Sequence, residues 1–421
     1  LLIRVLKMSE EVNKQAIFKK RMSYLGNGDQ YFYKEPLHII KGDDVWLFDE
    51  VGKKYLDVYN NVAHVGHCNS EVVEAIAQQA GLLNTNTRYL HQNIVDLAEK
   101  ITESMPEGLN VCYFCCSGSE ANDLALQIAR NYTGQTGCLV TENAYHGNTT
   151  AVFQMSPEDC SETQRESWIA TIPGPEAYPD HEEQYIQNTM DQDKTLKSHG
   201  HSLAAFIADN IFSSEGIYLP KKEYLATLYA LVKEMGGLTI ADEVQSGFGR
   251  TGGFMWGFEH SEVVPDIVTL GKPMGNGHPV SAVITTRAIA DSFNHHYGYF
   301  NTFGGNPVSC AAGLAVIKYI QDRGLVEHAK TVGNYLQEEL KRTIGSSDAV
   351  RDIRGSGLFI GVEMKDSTTT TSAVEQLMNN GILVGQTGPK NNVIKLRPPM
   401  TFQIEHADFL VQQLEKIHLS L

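Results

Sequence analysis

The sequence predicts an α/β protein built on a mainly parallel sheet with helices on both faces. Two observations support this prediction. Several runs are continuously apolar and rich in β-branched residues, without the alternation typical of a strand that has one face in water. Segments with helical periodicity separate most of these runs, which is the order of elements in parallel sheets.

The N-terminal part alternates short strands and turns. Residues 45–58, VWLFDEVGKKYLDV, predict a β-hairpin with Gly52 at its tip. From about residue 70 the pattern changes to helices and strands. Residues 71–83 are amphipathic at helical spacing, 110–116 predict a buried strand, and 119–132 predict a helix because serine and acidic residues open the segment.

The middle of the chain continues the strand–helix alternation. Further strands are predicted at 137–141, 204–209, 237–243 and 266–271. The segment 156–200 is polar and carries turn signals, so we expect surface loops and short helices there.

The C-terminal part predicts a second, smaller unit. After a helix at 309–321 the order is helix, short strand at 357–364, helix, strand and helix. We expect the N-terminal strands to complete this α+β unit. The predicted organisation is therefore 1–65 in the small domain, 66–322 as the large domain and 323–421 as the C-terminal small domain.

Composition limits the classes of partner. The 421 residues exceed the usual size of one core, and the formal net charge of −16 argues against nucleic acid or anionic membranes as main partners. No apolar run is long enough to predict a membrane span. The opening LLIRVLK, residues 1–7, lacks a signal-peptide cleavage site, and Met8 is a candidate natural start.

The seven cysteines predict neither a disulfide framework nor a metal site. They are odd in number and irregularly spaced. Cys112, Cys115 and Cys116 lie in a predicted strand without a second Cys/His pair at zinc spacing, so we interpret them as strand thiols. Free thiols favour a cytoplasmic location.

Two features follow strand ends, where ligands bind in open α/β sheets. In the Ser-Gly-Ser turn at 117–119, Gly118 allows close approach, and Ser119 begins a helix whose free N–H groups and dipole can hold an anion. The loop after the strand at 137–141 carries Tyr145 and His146, and an aromatic ring there can stack on a flat heterocycle. Taken singly, a helix N-cap and a packed tyrosine are the simpler explanations of these features.

Asp242 and Lys272 end two further strands. A carboxylate at such a place is costly to bury unless it is paired, and it can hold a cationic ring nitrogen protonated. A strand-end lysine with a lowered pKa forms Schiff bases. A salt bridge would explain Asp242 alone, and a solvated loop would explain Lys272 alone. Jointly, the four features provide partners for the phosphate, ring face, ring nitrogen and aldehyde of pyridoxal phosphate.

These residues lie in motifs by which the chain resembles the class III (ω) aminotransferases, a family of fold-type I pyridoxal phosphate enzymes. The motifs are SGSEAND, AYHG, ADEVQSGFGRTG, LGKPMGNGHP and TFGGNPVSCAAGLAV. The resemblance implies a large domain with a mainly parallel sheet of the seven-stranded type, and a smaller α+β domain formed by both termini.

The resemblance also assigns roles around the cofactor ring. It implies that Lys272 forms the Schiff base and that Asp242 pairs with the pyridine nitrogen. Tyr145 would stack on the ring with His146 beside it, and Gln245 would lie near the ring hydroxyl.

At the phosphate end, the resemblance implies that Gly118 and Ser119 hold the phosphate group. Thr302 would reach it from the other subunit. A homodimer with shared active sites is therefore expected, with a tetramer as a further option.

Two departures concern the reaction. Lys395 stands where class III enzymes that handle a carboxylate usually carry arginine, and it offers a point charge in place of a planar fork. Ser214, in ADNIFSSEG, stands where the family usually has a second glutamate. The stretches YNNVAHVGHC and LLNTNTRYLH instead resemble the ethanolamine-phosphate and phosphohydroxylysine phospho-lyases. The ammonia-lyases of 1-hydroxy-2-aminoethylphosphonate share the general pattern.

This subgroup implies an ammonia-releasing lyase acting on a small phospho- or phosphono-amine. The candidate cations for the phospho group are Arg88, Lys395 and Arg397, although a salt bridge would explain each of them as well, and Asn60 and its neighbour Asn61 would shape the pocket. One alternative is an ω-aminotransferase that passes the amino group to a 2-oxo acid. Another is an inactive family member with a binding or structural role, which the intact cofactor motifs disfavour.

Overall fold

The computed structural model describes residues 14–178 and 181–418. Residues 1–7 and the candidate start at Met8 lie outside this part of the chain. The strands are β1 Ile39–Asp43, β2 Trp46–Asp49, β3 Lys54–Asp57, β4 Leu109–Cys115, β5 Gly137–Thr141, β6 Ile169–Ile172, β7 Leu203–Asp209, β8 Leu238–Asp242, β9 Ile267–Leu270, β10 Ser281–Thr286, β11 Val350–Ser356, β12 Phe359–Met364, β13 Ile382–Leu383, β14 Gly385–Thr387 and β15 Val393–Leu396. The helices are α1 Lys14–Tyr24, α2 Ser70–Leu82, α3 Gln92–Glu103, α4 Gly118–Thr133, α5 Thr150–Gln154, α6 Glu182–Ser198, α7 Lys222–Glu234, α8 Arg287–His296, α9 Pro307–Asp322, α10 Leu325–Ile344, α11 Ser367–Asn379 and α12 Ile404–His418.

The largest sheet contains seven strands in the order β4-β10-β9-β8-β7-β5-β6. Neighbouring strands from β9 to β6 pair in parallel, whereas β10 runs antiparallel to both β4 and β9. The predicted mainly parallel sheet is therefore confirmed. Cys112 and Cys115 lie in β4, as expected of strand thiols, whereas Cys116 follows the end of the strand, and all seven cysteines are free.

Helices on both faces explain why the strands are apolar along their whole length. Ile267 and Val283 pack in one cluster with buried residues of α4. Their chain neighbours Val268 and Ala282 point to the opposite face and belong to another cluster. All four side chains are fully buried. A strand covered on both faces has no polar side, so it reads as a continuous apolar run.

Two smaller sheets flank the large one. In the first, of order β1-β2-β3-β13, β2 and β3 form the predicted hairpin, and Gly52 lies in its turn with φ +83°. β3 pairs in parallel with β13, which joins the N-terminal strands to the C-terminal part of the chain. The second sheet has the order β11-β12-β15-β14. The domain boundaries at 65 and 322 stay predictions.

The interpretation of segment 156–200 as loops and short helices is wrong. The segment contains β6, which extends the large sheet, and the 17-residue helix α6. The buried face of α6 consists of Tyr185, Thr189, Asp193 and Leu196. Two polar residues on that face hide the apolar periodicity that would predict a helix. No described helix combines the length and apolar composition that a membrane crossing requires.

Candidate active site

A cavity of about 320 Å³ lies at the carboxyl ends of β4, β5, β8 and β9. Parallel strands bring their carboxyl ends to one edge of the sheet, so residues distant in sequence meet there. Seven of the candidate residues line this cavity: Gly118, Ser119, Tyr145, His146, Asp242, Gln245 and Lys272. The structure therefore brings together the candidates that the sequence placed at strand ends.

One end of the cavity is formed by the N-terminus of α4. The Ser117 side chain caps the helix by accepting from Glu120 N at 3.2 Å. Within the described residues, no group accepts a hydrogen bond from the backbone N–H of Gly118 or Ser119. These free donors and the helix dipole favour an anion at this end. A side chain at 118 would meet the Val244 side chain at 2.9 Å, so glycine keeps the approach open.

Gly147 packs against this anion-binding end. Its φ is +137°, and a Cβ there would lie 2.3 Å from Ser119 Oγ. We therefore expect Gly147→Ala to displace Ser119 and to weaken binding of pyridoxal phosphate by about 10-fold or more. A fluorescence titration of the apo-protein with pyridoxal phosphate measures this change in cofactor affinity.

The matched control is Gly134→Ala at the far end of α4. Gly134 also has positive φ, +67°, but no atom lies within 4 Å of the added Cβ. This variant should lose about 1 kcal/mol of stability and keep wild-type cofactor affinity. Equal affinities of both variants would show that the contact with Ser119 does not shape the anion site.

Asp242 is held by three hydrogen bonds. Its Oδ1 accepts from Val244 N at 3.0 Å, and its Oδ2 accepts from Asn122 Nδ2 at 2.9 Å. His146 Nδ1 lies 2.8 Å from the same Oδ2, and it donates in the tautomer that this contact requires. Thr269 Oγ1 in turn donates to Asn122 Oδ1 at 2.6 Å. These contacts fix a nearly buried carboxylate at the floor of the cavity.

Asn122 lies outside the predicted site residues. It falls within the SGSEAND motif and is fully buried in α4. Its side chain donates both to Asp242 Oδ2 and to the backbone oxygen of His146, at 2.7 Å. A buried amide one helical turn after Gly118 is the signal that could have identified it, because buried polar groups need defined partners.

Lys272 follows β9 and opens a short 3₁₀ turn, Lys272–Gly275, whose second residue is Pro273. The described part of the chain provides no hydrogen-bond or ion-pair partner for its Nζ. Burial lowers the pKa of Lys272, an effect that the Asp242 carboxylate partly opposes. A lysine with a lowered pKa supplies more of the neutral amine that attacks carbonyl groups and accepts protons.

The cavity fits pyridoxal phosphate. Free N–H donors suit the phosphate, the Lys272 amine suits the aldehyde, and the Asp242 carboxylate suits a protonated ring nitrogen. Tyr145 adds an aromatic side chain to the wall. His146 Nε2 is buried and has no hydrogen-bond partner in the described part of the chain, so it is a polar atom available to a bound group.

Gln245 joins the cavity to Arg397. Its Oε1 accepts from Arg397 Nη1 and, at 3.4 Å, from Asn61 Nδ2, and its Nε2 donates to Ser213 Oγ at 2.9 Å. Arg397 is nearly buried and also packs over the ring of Tyr59, 5.1 Å from its centroid. Gln245, which lines the cavity, therefore holds the Arg397 guanidinium in a fixed position behind it.

Lys395 and Asn60 lie outside the lining of the cavity. Burial lowers the pKa of Lys395 to about 7, and the Arg397 charge acts in the same direction. The backbone N–H of Asn60 donates to Asp57 Oδ1 at 2.9 Å, which fixes its loop.

Arg88 and Thr302 are not brought to the cavity within one chain. Both are exposed, and Arg88 lies over the ring of Phe300 at 4.2 Å from its centroid. Asn301, next to Thr302, donates to Glu120 Oε2 at 3.1 Å near the start of α4. The loop of Thr302 therefore borders the phosphate end without completing it, and the role of Thr302 in a partner's site stays a prediction.

The chain is similar over most of its length to known proteins. A model of the class-III aminotransferases matches residues 31–418. A Drosophila melanogaster protein named alanine--glyoxylate aminotransferase 2-like is 43% identical over 95% of this chain and 86% of its own length. The Caenorhabditis elegans ethanolamine-phosphate phospho-lyase homolog 1 is 36% identical over 96% of this chain and 93% of its own. A phospholyase from Arthrobacter in complex with phosphoethanolamine has a TM-score of 0.93 and 40% identity, over 96% of this chain and 100% of that one.

The matches confirm the resemblance seen in the motifs, because the family model spans most of the sequence. They also confirm the fold-type I architecture, with its mainly parallel seven-stranded sheet. Enzymes of this family depend on pyridoxal phosphate, the cofactor that the cavity fits. The chain belongs to the class-III aminotransferase family of pyridoxal phosphate-dependent enzymes.

Proposed function

We propose that the chain is a lyase that releases ammonia from a small phospho- or phosphono-amine, of the phosphoethanolamine or (R)-1-hydroxy-2-aminoethylphosphonate type. The observation that supports it most is the likeness over nearly full length to the Arthrobacter phospholyase in complex with phosphoethanolamine. Lys395 and Arg397 support it further. The Arg397 charge lowers the pKa of both Lys272 and Lys395. The three side chains therefore concentrate positive charge beside the cavity of an acidic protein.

Charge and geometry suggest how the substrate is oriented. The dianionic phospho group would be held on the side of Lys395 and Arg397, with the substrate amine towards Lys272. Arg397 is positioned for this by Gln245 and Tyr59. The amine-bearing carbon then lies next to Lys272 Nζ.

Lys272 moves the proton. Bound pyridoxal phosphate supplies an electron sink for the pair left when the amine-bearing carbon loses its proton. The lowered pKa of Lys272 makes its neutral Nζ available as the base that accepts this proton. Asp242, fixed by Asn122 and His146, supplies the negative charge at the cavity floor.

The group on the next carbon then leaves with its bonding electron pair. It is phosphate from phosphoethanolamine or hydroxide from the hydroxyphosphonate. The unsaturated amine that remains is hydrolysed to an aldehyde and ammonia. No oxo acid takes part, which agrees with Lys395 and Ser214 standing where transaminating relatives usually carry arginine and glutamate.

Continuous ammonia release is the expected result. Holoenzyme is incubated with phosphoethanolamine, or separately with 1-hydroxy-2-aminoethylphosphonate, without any oxo acid. We expect many turnovers of ammonia per active site with one of the two substrates. Inorganic phosphate in equal amount identifies phosphate as the leaving group. Ammonia that stops at one equivalent per site, or turnover that needs an oxo acid, would refute the lyase assignment.

The second candidate is an ω-aminotransferase acting on an ω-amine and a 2-oxo acid. The Drosophila relative, at 43% identity, carries an aminotransferase name and favours it, as does the 34% identical human alanine--glyoxylate aminotransferase 2, mitochondrial. In the same assay, an aminotransferase would need glyoxylate or pyruvate for more than one turnover.

A homodimer is part of the proposal. Large apolar side chains are exposed near both candidate residues that a single chain leaves outside the cavity. Tyr89 and Leu90 follow Arg88, and Phe303 follows Thr302, with exposed fractions of 68%, 102% and 70%. Such a surface is typical of an interface between subunits. Light scattering in solution tests the dimer, and would also reveal a tetramer.

We also propose a cytoplasmic location, which the free cysteines favour.

A further inference from the structure

A contact across the large domain places a carboxylate beside the candidate site. Ser214 Oγ donates to Glu158 Oε2 at 2.6 Å. Ser214 is buried just after β7, whereas Glu158 is exposed in the loop after α5. Ser214 is also the position at which the family usually has glutamate. At this position the serine side chain therefore holds a carboxylate from a different part of the sequence.

Ser213, the residue before Ser214, connects Glu158 to the wall of the cavity. Ser213 Oγ accepts from Gln245 Nε2 at 2.9 Å, and Ser213 N donates to Asp209 Oδ2 at 2.9 Å. Both Gln245 and Asp209 line the cavity. Ser213 is thus bound to two residues of the site, and the adjacent Ser214 holds the Glu158 carboxylate next to them.

Lys395 lies in β15, on the face of the sheet that packs against the segment 211–217, which contains both serines. No described residue forms an ion pair or hydrogen bond with Lys395 Nζ. Val393, two residues earlier in β15 and therefore on the same face, packs with apolar residues of the segment 211–217. Of the carboxylates that raise the pKa of Lys395 against the effect of burial, Glu158 has the largest influence, and it acts on Lys272 as well.

We propose that Glu158 is a specificity-determining residue that acts as an internal competing anion: held by Ser214, it balances the charge of Lys395 and limits how tightly the site retains phosphate. This inference rests on the proposed function, since it assigns Lys395 to the phospho group. A site that binds phosphate through buried cations releases this product slowly unless another anion competes. Glu158 is placed to compete because its carboxylate is bound to Ser214, beside the wall of the cavity.

The charge of the ligand distinguishes this role from a structural one. Coulomb energy is proportional to charge, so removing Glu158 changes the logarithm of affinity about twice as much for a dianion as for a monoanion. An exposed carboxylate acts weakly, through solvent. We therefore expect Glu158→Gln to bind inorganic phosphate about 3- to 10-fold more tightly, and acetate about 2- to 3-fold more tightly.

The experiment is a calorimetric titration of holoenzyme with inorganic phosphate and with acetate, at pH 7 and constant ionic strength. The matched control is Glu162→Gln, the same change at an exposed residue of the same loop, which should bind both anions like wild type. Ser214→Ala is the second variant. It releases the Glu158 carboxylate, so it should shift phosphate affinity in the same direction by a smaller factor.

The outcomes separate this inference from the lyase assignment, because the titration needs no turnover. Unchanged or weaker phosphate binding by Glu158→Gln would overturn the inference, as would equal tightening by Glu162→Gln or equal factors for phosphate and acetate. If wild type turns over phosphoethanolamine, Glu158→Gln should also show stronger product inhibition by phosphate. Absence of turnover with phospho-amines would refute the lyase proposal and leave the titration to decide on Glu158.

Discussion

Lys272→Ala is expected to abolish turnover, with kcat reduced by at least about 10⁴-fold, because the variant loses the amine that we assign to the cofactor and that we propose as the base. The lysine lies at the end of β9, in a cavity that fits the cofactor, and its side chain has no polar partner among the described residues. Its removal should therefore leave the fold intact, since no described neighbour relies on a hydrogen bond from its amine. Ammonia release and a thermal melt measure the two effects.

Borohydride reduction checks the same residue chemically. In wild type it should fix pyridoxal phosphate to a single peptide, the one that contains Lys272. Lys395→Ala, which removes the partly buried lysine of β15, should keep that label. A label on Lys395 or on any other lysine would disprove the cofactor assignment of Lys272.

Asp242→Asn has the second largest expected effect. The amide has no negative charge to keep a ring nitrogen protonated, so kcat should fall by about 10²- to 10⁴-fold. Its NH₂ group must also face a donor, either Val244 N or the pair formed by Asn122 and His146. Steady-state kinetics and the absorption spectrum of the bound cofactor measure the change.

Glu243→Gln is the matched control, because Glu243 is the next residue and is fully buried. Its carboxylate accepts from the backbone N–H groups of Gly257 and Phe258, and from the side chains of Asn210 and Ser246. These bonds tie the loop after β8 together and do not reach the cavity. We expect a lower melting temperature and kcat within a few-fold of wild type. Equal losses of kcat in both variants would argue that Asp242 is only structural.

The strands of the large sheet could be predicted where both faces are buried. β7, β8 and β9 have buried side chains at almost every position, and such runs are unmistakable in sequence. β10 and β6 are absent from the prediction. β10 follows the Lys272 loop directly and inserts antiparallel between β4 and β9, whereas β6 is four residues long and half-buried at the edge. Their places depend on neighbours that are distant in the chain.

The chemistry of the site was determined largely by the sequence. Gly118, Tyr145, Asp242 and Lys272 could be assigned because each follows a strand, and the carboxyl ends of parallel strands converge by topology alone. Local sequence therefore specified the residue types and the edge of the sheet. It also specified the cofactor, since few other ligands need that combination of partners.

Only the tertiary structure decided how these residues are held. The contacts of Asp242 with Asn122 and His146, of Gln245 with Arg397, and of Ser214 with Glu158 join residues separated by 56 to 152 positions. Hydrogen bonds need atoms within about 3 Å in a defined orientation, and no spacing along the chain encodes that. Glu158 shows the physical reason most clearly. Its segment has no sequence signal of function, and packing alone brings its carboxylate to Ser214, beside the wall of the cavity.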